Sequence, residues 1–353
     1  MYDVKNIGPN IRVNSKKLIN LCSNDYLGIK SPKISRKQNQ SSSRLIAGND
    51  ESFKILESKL AKHKSQDNAL IFPTGYMANL GVISSLIQKN DHVYSDEFNH
   101  ASLIEACKMT GAKITIFKHN DMSDLNSKIK TDSKRKFIIT EGIFSMDGDS
   151  ADLKIISEIS QKHDAITILD DAHGDFIIGK DGRGSANYFG VEKKIDIYTS
   201  SLSKGLGSFG GYIASQKNVI ELSINKSKSF IYTSALPSLF IDDAIKRFDS
   251  DREKRRKQLW ENTNYFSIGL KKIGYENESK SHIIPIMIGK EKLAIEFAIY
   301  LRKNGIFVHP IRYPTVPKNQ ARIRISITAL LTKKQIKFSL DVFDKARKKF
   351  QIG

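Results

Sequence analysis

Ile195-Asp196-Ile197-Tyr198-Thr199-Ser200-Ser201-Leu202-Ser203-Lys204-Gly205-Leu206-Gly207-Ser208-Phe209-Gly210-Gly211-Tyr212-Ile213-Ala214 is two short apolar runs joined by a loop of small residues around one lysine. An apolar run that ends in a Ser/Gly loop reads as a strand and its exit turn. The small neighbours leave room beside Lys204 for a flat ring, and the hydroxyls can hold a phosphate. On its own the stretch equally describes a solvated Gly/Ser loop. It is not a nucleotide-binding P-loop, because the lysine precedes the glycines.

Upstream of this loop the same unit, strand then helix, recurs from Ala69. The runs Ala69-Leu70-Ile71-Phe72, His92-Val93-Tyr94, Ile114-Thr115-Ile116-Phe117, Phe137-Ile138-Ile139-Thr140 and Ile166-Thr167-Ile168-Leu169 are short and apolar. Helices are expected from about Tyr76 to Ile87, His100 to Met109 with a Gly111 stop, and Leu153 to Gln161. Such alternation predicts an α/β fold with a largely parallel sheet covered on both faces. Ligands of such sheets sit at the C-terminal ends of the strands. Polar residues cluster at those ends: Thr74-Gly75-Tyr76, Glu141, Asp170-Asp171-Ala172-His173 and Ser201 to Lys204.

Before the repeats come an N-terminal arm, residues 1–31, a polar stretch at Gln38 to Asn49, and a helix with Phe53, Leu56 and Leu60 on one side. After them come helices around Val219–Lys226, Leu236–Phe248 and Arg252–Ile268. A smaller α/β unit closes the chain. We therefore expect an arm (1–31), a large domain (32–247) and a small C-terminal domain (248–353). Ala321-Arg322-Ile323-Arg324-Ile325-Ser326-Ile327 alternates, so Arg322, Arg324 and Ser326 are expected on one strand face.

The 353 residues are 39% hydrophobic and 27% charged, the composition of a globular protein. No run is long and apolar enough for a membrane span, and the first residues lack the apolar core of a signal peptide. Two cysteines, Cys22 and Cys107, are too few for a disulfide framework, which fits a reducing, cytoplasmic setting. The net charge of +19 admits a nucleic-acid or acidic partner. Its lysines are spread along the chain, however, and no zinc spacing or aromatic-interleaved basic motif accompanies them. A solvated basic surface arising from lysine-rich composition is the reading carried forward, with steering of an anionic substrate or carrier as the alternative; neither a nucleic-acid partner, a membrane nor a metal is expected.

Asp170 ends a buried strand, and a buried carboxylate needs a cationic partner. A pyridinium nitrogen is one; a helix cap is the plainer alternative. His173 lies three residues on. His100 opens a helix, as a cap neighbour or a ring to stack on a flat cofactor. Thr74-Gly75-Tyr76 offers helix-terminal N–H groups to a phosphate, or is an ordinary strand-to-helix turn.

The order of these stretches resembles the α-oxoamine synthases, a family of fold-type-I pyridoxal-phosphate enzymes. The resemblance runs from Asn24-Asp25-Tyr26-Leu27-Gly28 through Asn99-His100-Ala101-Ser102, Thr140-Glu141-Gly142-Ile143-Phe144-Ser145-Met146-Asp147-Gly148-Asp149, Asp170-Asp171-Ala172-His173-Gly174 and Ser201-Leu202-Ser203-Lys204-Gly205 to Ile311-Arg312-Tyr313-Pro314-Thr315-Val316-Pro317. The last stretch is most similar to the branch that makes 8-amino-7-oxononanoate. The resemblance implies a mostly parallel seven-stranded sheet in the large domain, and a homodimer with shared active sites. It implies pyridoxal phosphate bound as a Schiff base to Lys204. Asp170 would meet the ring nitrogen, His173 the phenolic oxygen and His100 the ring face. Ser201, the N–H groups of Gly75 and Tyr76, and Ser234 of a second subunit would hold the phosphate. Glu141 and Ser145 would line the site. Arg324, with Arg312 and Asn24, would bind substrate carboxylates. The reaction implied is condensation of L-alanine with a pimeloyl thioester, carried by coenzyme A or an acyl-carrier protein, in biotin biosynthesis. Sister synthases acting on glycine or serine are the alternative. The chain departs from the family in the glycine-free segment Gln38 to Ser43 and in Leu330-Leu331, where relatives commonly carry Ala-His; both bear on the acyl chain.

Overall fold

A computed structural model of the chain describes residues 4–13, 15–33, 42–129, 135–277 and 279–352. The part of the expected acyl-entrance segment from Gln38 to Ser41 lies outside the described residues. The chain forms two compact units: residues 30–144 with 150–250, and residues 1–29 with 145–149 and 251–353.

In chain order, the N-terminal residues of the second unit form β1 (Val4–Ile7), β2 (Asn10–Val13) and β3 (Lys16–Asn20). These short strands were not foreseen. β1 is exposed along its whole length, so it carries no apolar alternation to read.

The larger unit contains α1 (Glu51–Lys64), β4 (Asn68–Phe72), α2 (Gly75–Leu86), β5 (His92–Asp96), α3 (Ala101–Thr110), β6 (Lys113–Phe117), α4 (Met122–Lys128), β7 (Lys136–Glu141), α5 (Leu153–His163), β8 (Ala165–Asp170), the short α6 (Ser185–Tyr188), β9 (Ile197–Ser201), β10 (Gly211–Ser215), α7 (Lys217–Lys226), the short α8 (Lys228–Ile231) and α9 (Ser238–Phe248). Its seven strands lie in the order β4-β10-β9-β8-β7-β5-β6. The pairs from β9 to β6 are parallel, and β10 runs antiparallel to both β4 and β9. This is the mostly parallel seven-stranded sheet that the resemblance implies. The strands are apolar along their length because both faces are covered. Leu70, Phe72, Val93, Phe137, Ile139, Ile168, Ile197 and Ile213 share one core with Ala78, Val82 and Ile83 of α2 and Leu103 of α3.

Local signals set the helix ends. Asp50 caps α1 by accepting from the Ser52 amide, Thr74 caps α2 by accepting from Met77 N, and Gly111 closes α3 at φ 69°. Register then fixes the strand ends. Glu141 on β7 is paired with Asp170 on β8, and Asp170 with Thr199 on β9. Three polar side chains are thereby delivered to one end of the sheet.

The rest of the second unit is α10 (Arg252–Lys272), β11 (Ile283–Gly289), α11 (Glu291–Lys303), β12 (Ile306–Phe307), β13 (Pro310–Ile311), β14 (Ala321–Ser326) and α12 (Lys333–Phe350). β12 pairs parallel with β3, joining the N-terminal strands, and β14 lies between β11 and β13. A capping box, Thr332 with Gln335, opens α12. Leu330 packs against Gly28, where any Cβ would collide with its side chain. Among the described residues no helix is long and apolar enough to cross a membrane.

Candidate active site

In the larger unit Lys204 follows β9 by three residues and is half-buried. Its Nζ lies 2.9 Å from His173 Nε2. His173 is 4% exposed, in the turn after β8. Asp170, at the end of β8, accepts from Asn79 Nδ2 at 2.7 Å and from the Ala172 amide at 3.0 Å. Asn79 also reaches Ser102 Oγ at 2.9 Å, and Ser102 Oγ lies 2.8 Å from His100 Nδ1. A continuous polar chain therefore runs His100–Ser102–Asn79–Asp170. Asn79 was not foreseen: its signal is a lone amide on the otherwise apolar inner face of α2, and it is 2% exposed. Ser102 lay in a recognised stretch with no role attached.

Glu141 is 3% exposed, and its Oε1 has no hydrogen-bond partner among the described residues. Burial first, then the charge of neighbouring Asp170, pushes its pKa well above the usual carboxylate range. His100 is exposed where α3 begins; partial desolvation of its ring lowers its pKa, against the opposing pull of Asp170 and with the aid of the Lys204 charge. A pH test follows for Glu141. The folded state holds a proton there that the unfolded chain has already lost, so the native protein loses stability as pH rises above the unfolded carboxyl pKa. Cofactor-free Glu141→Gln lacks this penalty. Its melting temperature should exceed that of the native chain at pH 8, with the gap closing toward pH 5. An equal gap at both pH values would refute the assignment.

Thr74 caps α2, so the N–H groups of Gly75 and Tyr76 lie in the helix's first turn and have no intrahelical acceptor. A Cβ on Gly211 would collide with Gly75 N, so the strand that leaves the lysine loop must be this close to the helix start. Ser201 Oγ and Ser203 Oγ lie 2.8 Å apart. Tyr76 is exposed and its hydroxyl donates to Glu105. Ser234 is exposed, between α8 and α9.

Beneath the lysine loop lies a buried ionic cluster. Lys64, at the end of α1, is 2.9 Å from Asp171 Oδ2 and 2.7 Å from Asp175 Oδ1, and all three are at most 2% exposed. Burial alone would lower the Lys64 pKa; the charges of Asp171 and Asp175 override it and raise the value. Lys64→Met would strand two buried carboxylates. It should cost about 3–5 kcal/mol of stability, read by denaturant unfolding; a loss below about 1 kcal/mol would contradict the pairing.

In the second unit Arg324 is held by four acceptors: the Ser145 carbonyl at Nε, Asn24 Oδ1 (3.1 Å) and Ser326 Oγ (2.7 Å) at Nη1, and Tyr26 OH (3.2 Å) at Nη2. Arg322 pairs with Asp147. Asn24, Ser145 and Arg324 are thus brought together, whereas the Arg312 side chain is exposed after β13.

The residues of the larger unit fit pyridoxal phosphate. Among the described residues an amine, a buried carboxylate, a carboxyl oxygen without a hydrogen-bond partner and two N–H groups without an intrahelical acceptor lie at one end of the sheet. Among the described residues no group of three His, Cys, Asp or Glu side chains is placed to hold a metal.

Residues 16–343 match the family described as aminotransferase class I and II. The 8-amino-7-oxononanoate synthase of Thermoanaerobacter pseudethanolicus is 38% identical over 98% of this chain and 91% of its own. The S. paucimobilis serine palmitoyltransferase, solved with bound pyridoxal phosphate, superposes with a TM-score of 0.93 at 27% identity, over 99% of this chain and 92% of that one. The 8-amino-7-oxononanoate synthase of Francisella tularensis superposes with a TM-score of 0.79 at 29% identity, over 95% and 99%. A likeness this long and this continuous means that the chain belongs to the aminotransferase class I and II family, as a pyridoxal-phosphate-dependent enzyme related to the 8-amino-7-oxononanoate synthases.

Proposed function

We propose that this enzyme condenses L-alanine with a pimeloyl thioester, releasing carbon dioxide and the free thiol and forming 8-amino-7-oxononanoate for biotin biosynthesis. The observation that carries the chemistry is the 2.9 Å approach of Lys204 Nζ to His173 Nε2 at the mouth of the sheet. The preference for alanine and pimelate rests on the 38% identity to a relative of that name.

Lys204 Nζ would hold the cofactor covalently, Asp170 its ring nitrogen, and His173 its phenolic oxygen. The face of His100 would cover the ring. Ser201 and the N–H groups of Gly75 and Tyr76 would take the phosphate, with Ser234 serving a second copy in a homodimer. Glu141 and Ser145 would line the site. When bound, the cofactor supplies an electron sink for charge developing at the amino acid's Cα. Lys204 Nζ, once displaced by the amino acid, is placed to accept the Cα proton as general base. His173 Nε2 shares a hydrogen bond with that amine and can hand a proton back. Asp170 would stabilise a positive charge opposite it and so favour electron withdrawal from Cα.

Arg324 is the anchor we assign to the amino acid's carboxylate, with Asn24 orienting its guanidinium and Arg312 free to meet a second carboxylate. Arg324→Lys keeps the charge and loses the fork. It should raise KM for alanine by about tenfold to a hundredfold, with a smaller change in kcat; an unchanged KM would remove Arg324 from the amino-acid site. The basic surface suits an acidic acyl-carrier protein as acyl donor, and a cytoplasmic location is part of the proposal.

A second reading has one specific support, the higher TM-score to a serine palmitoyltransferase. Sequence identity favours the first reading, at 38% against 27%. The test is solvent-deuterium exchange at Cα of L-alanine, glycine and L-serine, followed by NMR with the acyl thioester present. Alanine exchanging fastest supports the proposal; serine exchanging fastest overturns it.

A further inference from the structure

Asp175 is 1% exposed and lies two residues beyond His173. Its Oδ2 accepts from Ser200 Oγ at 2.7 Å and from Tyr212 OH at 2.5 Å. Ser200 is on β9, which enters the lysine loop, and Tyr212 is on β10, which leaves it. Its Oδ1 meets Lys64 Nζ at 2.7 Å and His63 Nε2 at 2.9 Å, both at the end of α1. Its carbonyl sits where a Cβ on Gly205 would collide with it, so the residue next to Lys204 rests directly on the Asp175 backbone. One carboxylate therefore joins a helix, both strands of the loop and the turn carrying His173.

The turn itself needs such a clamp. Phe176 adopts φ 64°, a left-handed conformation that a bulky L-residue avoids. Its ring is stacked on His63 at 4.8 Å and 11°, and its amide donates to the Gly182 carbonyl at 2.7 Å. Strain of this kind persists only where the surroundings over-determine it. Here those surroundings converge on Asp175, immediately before the strained residue.

We propose that Asp175 is the positioning residue for Lys204, holding both ends of the lysine loop against the turn that carries His173 so that the two side chains stay at hydrogen-bonding distance. This rests on the cofactor-bearing role of Lys204 proposed above. Asp175 touches neither substrate nor cofactor in this account. Its effect is to keep Lys204 Nζ aimed, the kind of pre-alignment that sets the rate of a covalent step.

The test is the rate at which the full-length chain, stripped of cofactor, captures added pyridoxal phosphate, read as growth of visible absorbance. Borohydride reduction and peptide mass mapping then identify the labelled lysine. Asp175→Asn keeps the shape and removes the charge. It should slow capture at Lys204 by about tenfold or more. Ser160→Ala is the control for stability loss alone: it breaks buried bonds to the Ala165 carbonyl (2.5 Å) and Thr167 (3.0 Å), away from the loop. It should capture at the native rate. Asp175→Asn slowing capture no more than Ser160→Ala overturns the inference. Should Asp175→Asn not fold, Ser200→Ala and Tyr212→Phe carry the test, each expected to slow capture about threefold or more; native rates in both overturn it. Failure of the native chain to label Lys204 at all overturns the functional reading and this inference with it. Normal labelling of the native chain with an unaffected Asp175→Asn overturns this inference alone.

Discussion

Lys204→Ala is expected to lower turnover by about four orders of magnitude and to remove the visible absorbance of the cofactor-loaded protein. In the proposed reaction one amine both holds the cofactor and moves the Cα proton, so no neighbouring group restores both. His173 Nε2 is 2.9 Å from that amine, yet it is 4% exposed and fixed in the turn after β8, so it keeps a proton relay without a nucleophile. The loop should survive the change. Its flanking strands are tied by Ser200 and Tyr212 to Asp175 through bonds that do not involve the lysine side chain. Native-like melting with no borohydride-stable cofactor label is the expected pattern. A retained label in Lys204→Ala would place the covalent bond elsewhere.

Asp170→Asn should bind cofactor but slow deuterium exchange at alanine Cα by about a hundredfold to a thousandfold. The substitution is nearly isosteric. It keeps an acceptor for one of its two donors, Asn79 and the Ala172 amide, which bond different carboxylate oxygens, and deletes the negative charge proposed to favour a protonated ring nitrogen. Loss of exchange without loss of binding would separate that electronic role from simple packing. Exchange at the native rate would leave Asp170 as a helix-cap residue, the plainer reading of Asp-Asp-Ala-His-Gly.

Much of this architecture was legible because the strands of the large sheet are buried on both faces and therefore spell themselves as short apolar runs. The runs ending at Phe72, Thr140, Leu169 and Thr199 lead directly to the polar residues at the sheet's end. The arm was less legible. β1 to β3 are short, and their sheet is completed by β12, nearly three hundred positions away in sequence. The support beneath the site was not legible for the same reason. Lys64 reads as one more basic residue at a helix C-terminus, and only the fold brings it to Asp171, 107 positions on. Asn79 likewise shows its purpose only when Asp170 arrives from β8, 91 positions later. Polar residues whose partners are distant carry no periodicity, so local pattern says little about them. Ser234 and Arg312 differ again. Both are exposed and make no local pattern, so their proposed roles came from the resemblance alone.

The most direct test of the central claim uses the purified, cofactor-loaded chain with carboxyl-labelled L-alanine and pimeloyl-coenzyme A, followed by mass spectrometry. Labelled carbon dioxide, free thiol and an unlabelled product with the mass of 8-amino-7-oxononanoate are expected in equal amounts. Turnover with glycine or L-serine and none with L-alanine would contradict the claim.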